Sequence, residues 1–258
     1  MSQGRFIWYE LGTKDLDAAT RFYTAVVGWK TKNAGQPDMR YEVLNPPSTP
    51  DGMGIGGMMQ YPPQMAANAP QWNGYVSVDD VDAFAARVTK HGGAICQPPT
   101  DIPNVGRFAF VNDPQGASFY LFKPNGATQA PPPPDITPGY VGWRELVTSD
   151  WKAAFTFYSE LFGWAKGGAV EMGAVHGTYQ LFSSGEGQMS GMMNNGAVGG
   201  GPPMWRYYFS VPSVAAAAER VKAEGGTIVT PPHEVPGGGW ISTGTDPQGG
   251  SFAVTGPK

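Results

Sequence analysis

Two short strings hold the residues best able to do chemistry: Trp8 with Glu10 in FIWYELG, and Trp143 with Glu145 in YVGWRELV. Both strings are rich in strand formers, and residues two apart on a strand share a face. Trp8 and Glu10 therefore point one way, and Ile7, Tyr9 and Leu11 the other. The stretch AATRFYTAV that follows has helical spacing and needs an apolar surface, which Ile7 and Leu11 provide. The Trp–Glu pair thus faces away from the helix. A carboxylate set against an indole loses hydration, which raises its pKa and suits it to proton transfer near neutral pH. The competing reading is a buried structural brace, with Arg107 as a candidate partner in the first string and Arg206 in the second. Recurrence of the glutamate favours the brace, while the adjacent indole favours catalysis.

Other chemistry is thinly supplied. His91 closes a helical stretch beside two glycines, His233 sits in a Pro-rich loop, and His176 lies between short strands, so each reads as a surface or capping residue. The sole cysteine, Cys96, excludes an internal disulfide and a Cys-rich metal site and fits a reducing compartment. GMGIGG (52–57) satisfies G-x-G-x-x-G, but the MMQYPP after it cannot open a helix, so no dinucleotide cradle is expected. With Lys+Arg 17 against Asp+Glu 21 there is no basic cluster to neutralise a row of phosphates, which excludes a nucleic-acid partner. The start, MSQGRFIWYE, has no charged-then-apolar leader, and no apolar run could cross a bilayer. A cytoplasmic protein without a membrane partner is expected.

The elements that must position these residues are themselves duplicated. The two strings superpose at an offset of 135 (Trp143 minus Trp8), which also aligns Asp15 with Asp150, Phe22-Tyr23 with Phe157-Tyr158 and Gly28-Trp29 with Gly163-Trp164. Later segments align at an offset of 133: WNGYVSVDDVDAFAARV from Trp72 with WRYYFSVPSVAAAAERV from Trp205, and the DPQG turns that follow. A repeat this long means two copies of one domain, 1–124 and 140–258, joined by a Pro-rich linker at 125–139. Within each copy a strand, a helix and short strands are run through twice, so each copy is a doubled βαβββ unit and the fold class is α+β. Gly 37 and Pro 25 suit many short strands joined by turns.

The motifs strand-Asp-helix with FY…GW, then VDDVDAF, then F-x-NDPQG resemble the vicinal oxygen chelate superfamily, which includes glyoxalase I, bleomycin-resistance proteins and extradiol dioxygenases. The resemblance covers nearly the whole chain outside the linker. It implies tandem glyoxalase-like domains, each a half-barrel sheet with helices outside and a small-molecule cavity inside, where Trp8, Glu10, Trp143 and Glu145 would point.

In metal-dependent relatives, one ligand lies seven residues before the strand-ending Asp and another seven after the Asp of the DPxG turn. Carried over, these positions are Trp8, Asn73 and Tyr120 in the first copy and Trp143, Arg206 and Ala253 in the second. An indole N–H has no lone pair to give, Arg stays protonated and Ala has no heteroatom, so no metal site and no cofactor are expected. Met58, Met59 and Tyr120 would line the first cavity beside Trp8 and Asn73, with Trp72 near its mouth; Met192, Met193 and Trp205 would line the second beside Trp143 and Arg206, the last suited to an anionic ligand. Such a Met- and aromatic-rich hollow suits a flat or apolar small molecule. The implied function is a metal-independent lyase, isomerase or oxygenase-type enzyme acting on a small oxygenated compound, with Glu10 or Glu145 catalytic. The alternative is a bleomycin-resistance-like protein that sequesters an aromatic or hydrophobic ligand. Two fused copies can supply the pairing that single-domain relatives obtain by dimerising, so a monomer or a weak homodimer is expected.

Overall fold

A computed structural model describes residues 3–35, 39–49, 54–65, 67–126, 136–185, 187–198 and 200–258. Residues 127–135 of the expected linker lie outside this set. Each repeat begins with the same local physics. Asp15 accepts a hydrogen bond from the Ala18 N–H at 3.0 Å and so caps the free donors of helix α1 (Leu16–Val27), which Gly28 ends in the left-handed region at φ 88°. Asp80 opens α2 (Val81–Lys90), Asp150 opens α3 (Trp151–Phe162) and Ser213 opens α5 (Val214–Ala223) in the same way. The second copy also contains a one-turn helix, α4 (Gly173–His176).

Strands surround these helices in four βαβββ runs. The first contains β1 (Phe6–Thr13), β2 (Lys30–Asn33), β3 (Tyr41–Asn45) and β4 (Gly56–Gln60); the second contains β5 (Gln71–Ser77), β6 (Ala94–Ile102), β7 (Gly106–Asn112) and β8 (Ser118–Pro124). The third contains β9 (Val141–Thr148), β10 (Ala165–Glu171), β11 (Thr178–Ser184) and β12 (Gln188–Asn194); the fourth contains β13 (Met204–Ser210), β14 (Thr227–Glu234), β15 (Trp240–Thr245) and β16 (Ser251–Gly256). They form two eight-stranded sheets with the same order, β2-β3-β4-β1-β5-β8-β7-β6 and β10-β11-β12-β9-β13-β16-β15-β14. Within each run the first and last strands pair in parallel and the others antiparallel, as the crossover helix requires. The expected tandem α+β architecture is thus present. Among the described residues no helix is long and apolar enough to cross a membrane.

The chain forms two compact units, and each draws on both repeats. One unit comprises Met1–Ile7, Asn73–Ala130 and Arg144–Trp205; the other comprises Trp8–Trp72, Pro131–Trp143 and Arg206–Lys258. Inside the second of these, the Tyr23 hydroxyl donates to Asp246 Oδ2 at 3.0 Å, and the Trp72 indole donates to Tyr23 Oη at 3.0 Å. Burial and the neighbouring Asp246 charge push the Tyr23 phenol well above its usual range, so it stays a donor. Trp29 and Trp72 each pack edge-on against Phe209 at 4.8 Å, and Gln248 exchanges two 2.8 Å bonds with the Asp15 backbone. The other unit repeats this arrangement. Tyr158 donates to Asp113 Oδ2 at 3.0 Å, Trp205 donates to Tyr158 Oη at 3.0 Å, and Gln115 accepts from the Asp150 N–H at 2.7 Å. The FY, GW and DPQG strings therefore recur because they build each core: every indole N–H and phenol inside needs a buried partner.

Candidate functional site

Strand β1 presents Trp8 and Glu10 on one face, as its period dictates. Glu10 is only 7% exposed, and pairing in register with Gly57 of β4 puts that glycine on the same face. Gly57 in turn pairs with Val43 of β3, and Tyr41 lies two residues away on the same side. A methyl built on Gly57 would overlap the Tyr41 phenol, so the ring crosses the glycine to reach the carboxylate. Tyr41 Oη donates to Glu10 Oε2 at 3.0 Å and accepts from the Trp8 indole Nε1 at 3.0 Å. Farther along the face, Tyr61 covers Gly12, where a methyl would also overlap the ring. Its hydroxyl donates to the Ala69 carbonyl at 3.1 Å. Burial first, and then the charge of Glu10, raise the Tyr61 phenol above its ordinary value. One face thus gathers a buried carboxylate, an indole and two phenols.

In the second copy β9 has the same burial pattern as β1, residue for residue. Glu145 is 5% exposed and pairs with Gly191, over which the Tyr179 ring lies. Trp143 is half-buried two residues before it. Arg144, which sequence reasoning passed over, is buried on the opposite face, where Tyr9 stands in the first copy.

Several expected cavity residues lie elsewhere. Met58 pairs with Leu11 and Met192 with Leu146, so both point away from the glutamates, and both are fully buried. Met59, in register with Tyr41, shares the Glu10 face instead. Trp72 and Trp205 are core residues at 3% and 2% exposure, not the rim of a hollow, because their N–H groups are committed to Tyr23 and Tyr158. Arg107 braces no glutamate on the strand face: it bonds Asp82 at 2.7 Å and Asp101 at 3.0 Å. Asn73 is buried and accepts from Ser118 Oγ at 2.8 Å, while Arg206 is half-buried on the face of Tyr208. Tyr120 stacks on Tyr75 at 4.1 Å and joins Phe108, Phe110 and Phe122 in an aromatic face of β5, β7 and β8. His91 pairs with Glu160 at 2.9 Å, and His233 lies 2.9 Å from the Pro231 carbonyl.

The donor set does not fit a metal ion. Trp8 is seen donating its only ring N–H, Tyr120 lies in a ring stack, and Ala253 is fully buried without a heteroatom. Among the described residues no three His, Cys, Asp or Glu come together as a metal-binding group.

The residues that sequence reasoning missed are Tyr41, Tyr61, Gly12 and Gly57. A signal existed: the strings GGMM and SGMM, at 56–59 and 190–193, keep the glycine under each tyrosine. The GMGIGG run that mimics a phosphate loop leads into β4, where Gly57 makes room for Tyr41.

The model of the Glyoxalase/Bleomycin resistance protein/Dioxygenase superfamily matches residues 5–121 and again 140–254. The Mycobacterium bovis protein called "Putative glyoxylase CFP32" is 32% identical over 261 residues, covering 99% of this chain and 95% of that protein. The anthracycline biosynthesis protein DnrV of Streptomyces peucetius is 29% identical over 268 residues, covering 96% and 91%. The Mn(II)-bound glyoxalase of Novosphingobium aromaticivorans shares the fold, with a TM-score of 0.67 at 17% identity over 99% of this chain and 82% of that one.

Proposed function

The chain belongs to the glyoxalase/bleomycin resistance protein/dioxygenase superfamily, and on that premise we propose that it is a glyoxalase-like enzyme moving a proton on a small oxygenated compound, with Glu10 as the base. The observation that supports this is the buried Glu10 carboxylate held by the Tyr41 hydroxyl on a face whose glycines seat the tyrosine rings. Glu10 takes the C–H proton of an α-hydroxy carbonyl compound; the C–H pair becomes a C=C bond and the carbonyl π pair moves to oxygen, giving an enediolate. Transfer of the hydroxyl proton to that oxygen and return of the Glu10 proton to the former carbonyl carbon give the isomer. No step is assigned to a metal or cofactor, since the residues at the superfamily's ligand positions supply no set of lone pairs. The test is proton–deuterium exchange into carbonyl compounds, which Glu10→Gln should abolish in a protein that remains folded.

A second reading has its own support. The Tyr75, Phe108, Phe110, Tyr120 and Phe122 face suits stacking of a planar aromatic molecule held without turnover. The relative named for anthracycline biosynthesis points the same way, anthracyclines being polycyclic aromatic compounds. Saturable binding of such compounds that Tyr120→Ala weakens, in the absence of any exchange, would favour this reading over the first.

A further inference from the structure

We propose that Tyr41 is a positioning residue that sets the basicity of Glu10, and that Trp8 fixes the direction of the Tyr41 hydroxyl. The proposal rests on the reading of Glu10 as the proton-transfer group. The directions follow from chemistry alone. An indole N–H can only donate, an ionised carboxylate can only accept, and a phenol does both. Trp8 Nε1, 3.0 Å from Tyr41 Oη, therefore occupies a lone pair of the phenol oxygen and turns its hydrogen elsewhere. Glu10 Oε2, 3.0 Å away, is where that hydrogen goes. A bond of this kind favours the charged carboxylate.

The seat for Tyr41 is built by its neighbour. Gly57 carries no side chain on the face where the ring lies, and a methyl there would overlap the phenol oxygen and ring. A methyl on Gly54 would overlap the Val43 side chain first and would stand 3.1 Å from the Trp8 ring edge. Trp8 takes the strand position at which metal-binding relatives place a ligand. Here it acts on the carboxylate through a phenol, so the strand position keeps its bearing on the site through different chemistry.

The sign of each perturbation is fixed. Tyr41→Phe removes a hydrogen bond to the ionised form, so the protonation midpoint of Glu10 must rise. Trp8→Phe keeps that bond but lets the hydroxyl swing, so the rise should be smaller. Gly57→Ala displaces the ring and should resemble Tyr41→Phe.

Carbon-13 carboxyl NMR of the full chain, labelled at glutamate and titrated with acid, reads this directly, with the Glu10 signal identified by its loss in Glu10→Gln. Tyr41→Phe should raise the midpoint by about one pH unit. An unmoved midpoint in a Tyr41→Phe protein with a native amide spectrum overturns the proposal. Should that variant fail to fold, Trp8→Phe and Gly57→Ala decide: a rise sustains the proposal, and no change in either sinks it. A purely structural Tyr41 would lower stability without moving the midpoint. Turnover is read separately. If Glu10→Gln retains exchange while Tyr41→Phe still shifts the midpoint, the catalytic reading fails and the tuning stands.

Discussion

Around Glu10 one sheet face carries an indole, two phenols and the glycines that seat them, whereas around Glu145 the places of Gly12 and Tyr61 are taken by Val147 and Asn195. Val147 is buried at 3% exposure, and Asn195 turns its amide to the Gly201 carbonyl at 2.6 Å. The cores have not diverged in this way. The Trp72–Tyr23–Asp246 and Trp205–Tyr158–Asp113 chains agree in every partner, and all four bonds are 3.0 Å. Duplication has thus held the scaffold constant and let one face of the sheet vary. A buried bond cannot be half lost without leaving an orphaned polar group, but a face that meets a ligand can change residue by residue. The difference is the reason for proposing Glu10 rather than Glu145 as the base.

The largest effect should come from the glutamates themselves. Glu10→Gln should slow proton exchange by about 10²–10⁴-fold, whereas Glu145→Gln should leave it near the wild-type rate. Equal losses in both variants, measured on folded protein, would erase the functional half of the comparison. Next come the shared core aspartates. Asp113 accepts from Tyr158 and from the N–H groups of Gln115 and Ala117, and Asp246 from Tyr23, Gln248 and Gly250. Replacing either by alanine should cost roughly 2–4 kcal/mol in denaturant unfolding, with the two values alike, because several buried donors are orphaned each time. Unequal costs would show that the two cores differ more than their bonding does.

Smaller effects follow from the glycines. Gly57→Ala and Gly191→Ala each force a tyrosine ring aside, at about 1–3 kcal/mol of stability. Only Gly57→Ala should also slow exchange. The smallest effect is on pH dependence. Burial is the main cause that raises the Asp113 carboxyl above 3.8. The folded state then binds that proton more readily than the unfolded chain, so this group's contribution to stability falls as pH climbs from 3.8 through the raised value. Asp113→Asn, which has no charge to bury, should flatten that part of the stability profile in acid-range unfolding curves.

The fold was legible because its signals are local. Asp15 and Asp150 before helical periods, Gly28 and Gly163 after them, and the offset of 135 between the copies need no knowledge of distant contacts. The shared face of Trp8 and Glu10 was legible for the same reason, as a period of two. Tyr41 was not, because its approach depends on the antiparallel register of β3 with β4, which brings residue 41 opposite Met59 and its ring across Gly57. Met58 misleads because two methionines stand side by side, and only the register with Leu11 says which one faces the carboxylate. Trp72 and Trp205 mislead because an indole suits a ligand wall and a core equally well. Their N–H bonds to tyrosines far along the chain settle them in the core.

Solvent deuterium exchange gives the most direct test that metal-free proton transfer resides at Glu10. Chelator-treated protein in D₂O is incubated with a panel of small carbonyl compounds, and loss of their α-proton NMR signals is followed. Exchange that survives chelation, persists in Glu145→Gln and vanishes in Glu10→Gln is the predicted result. Exchange that chelation abolishes and a divalent ion restores, or that continues unchanged in Glu10→Gln, would contradict it.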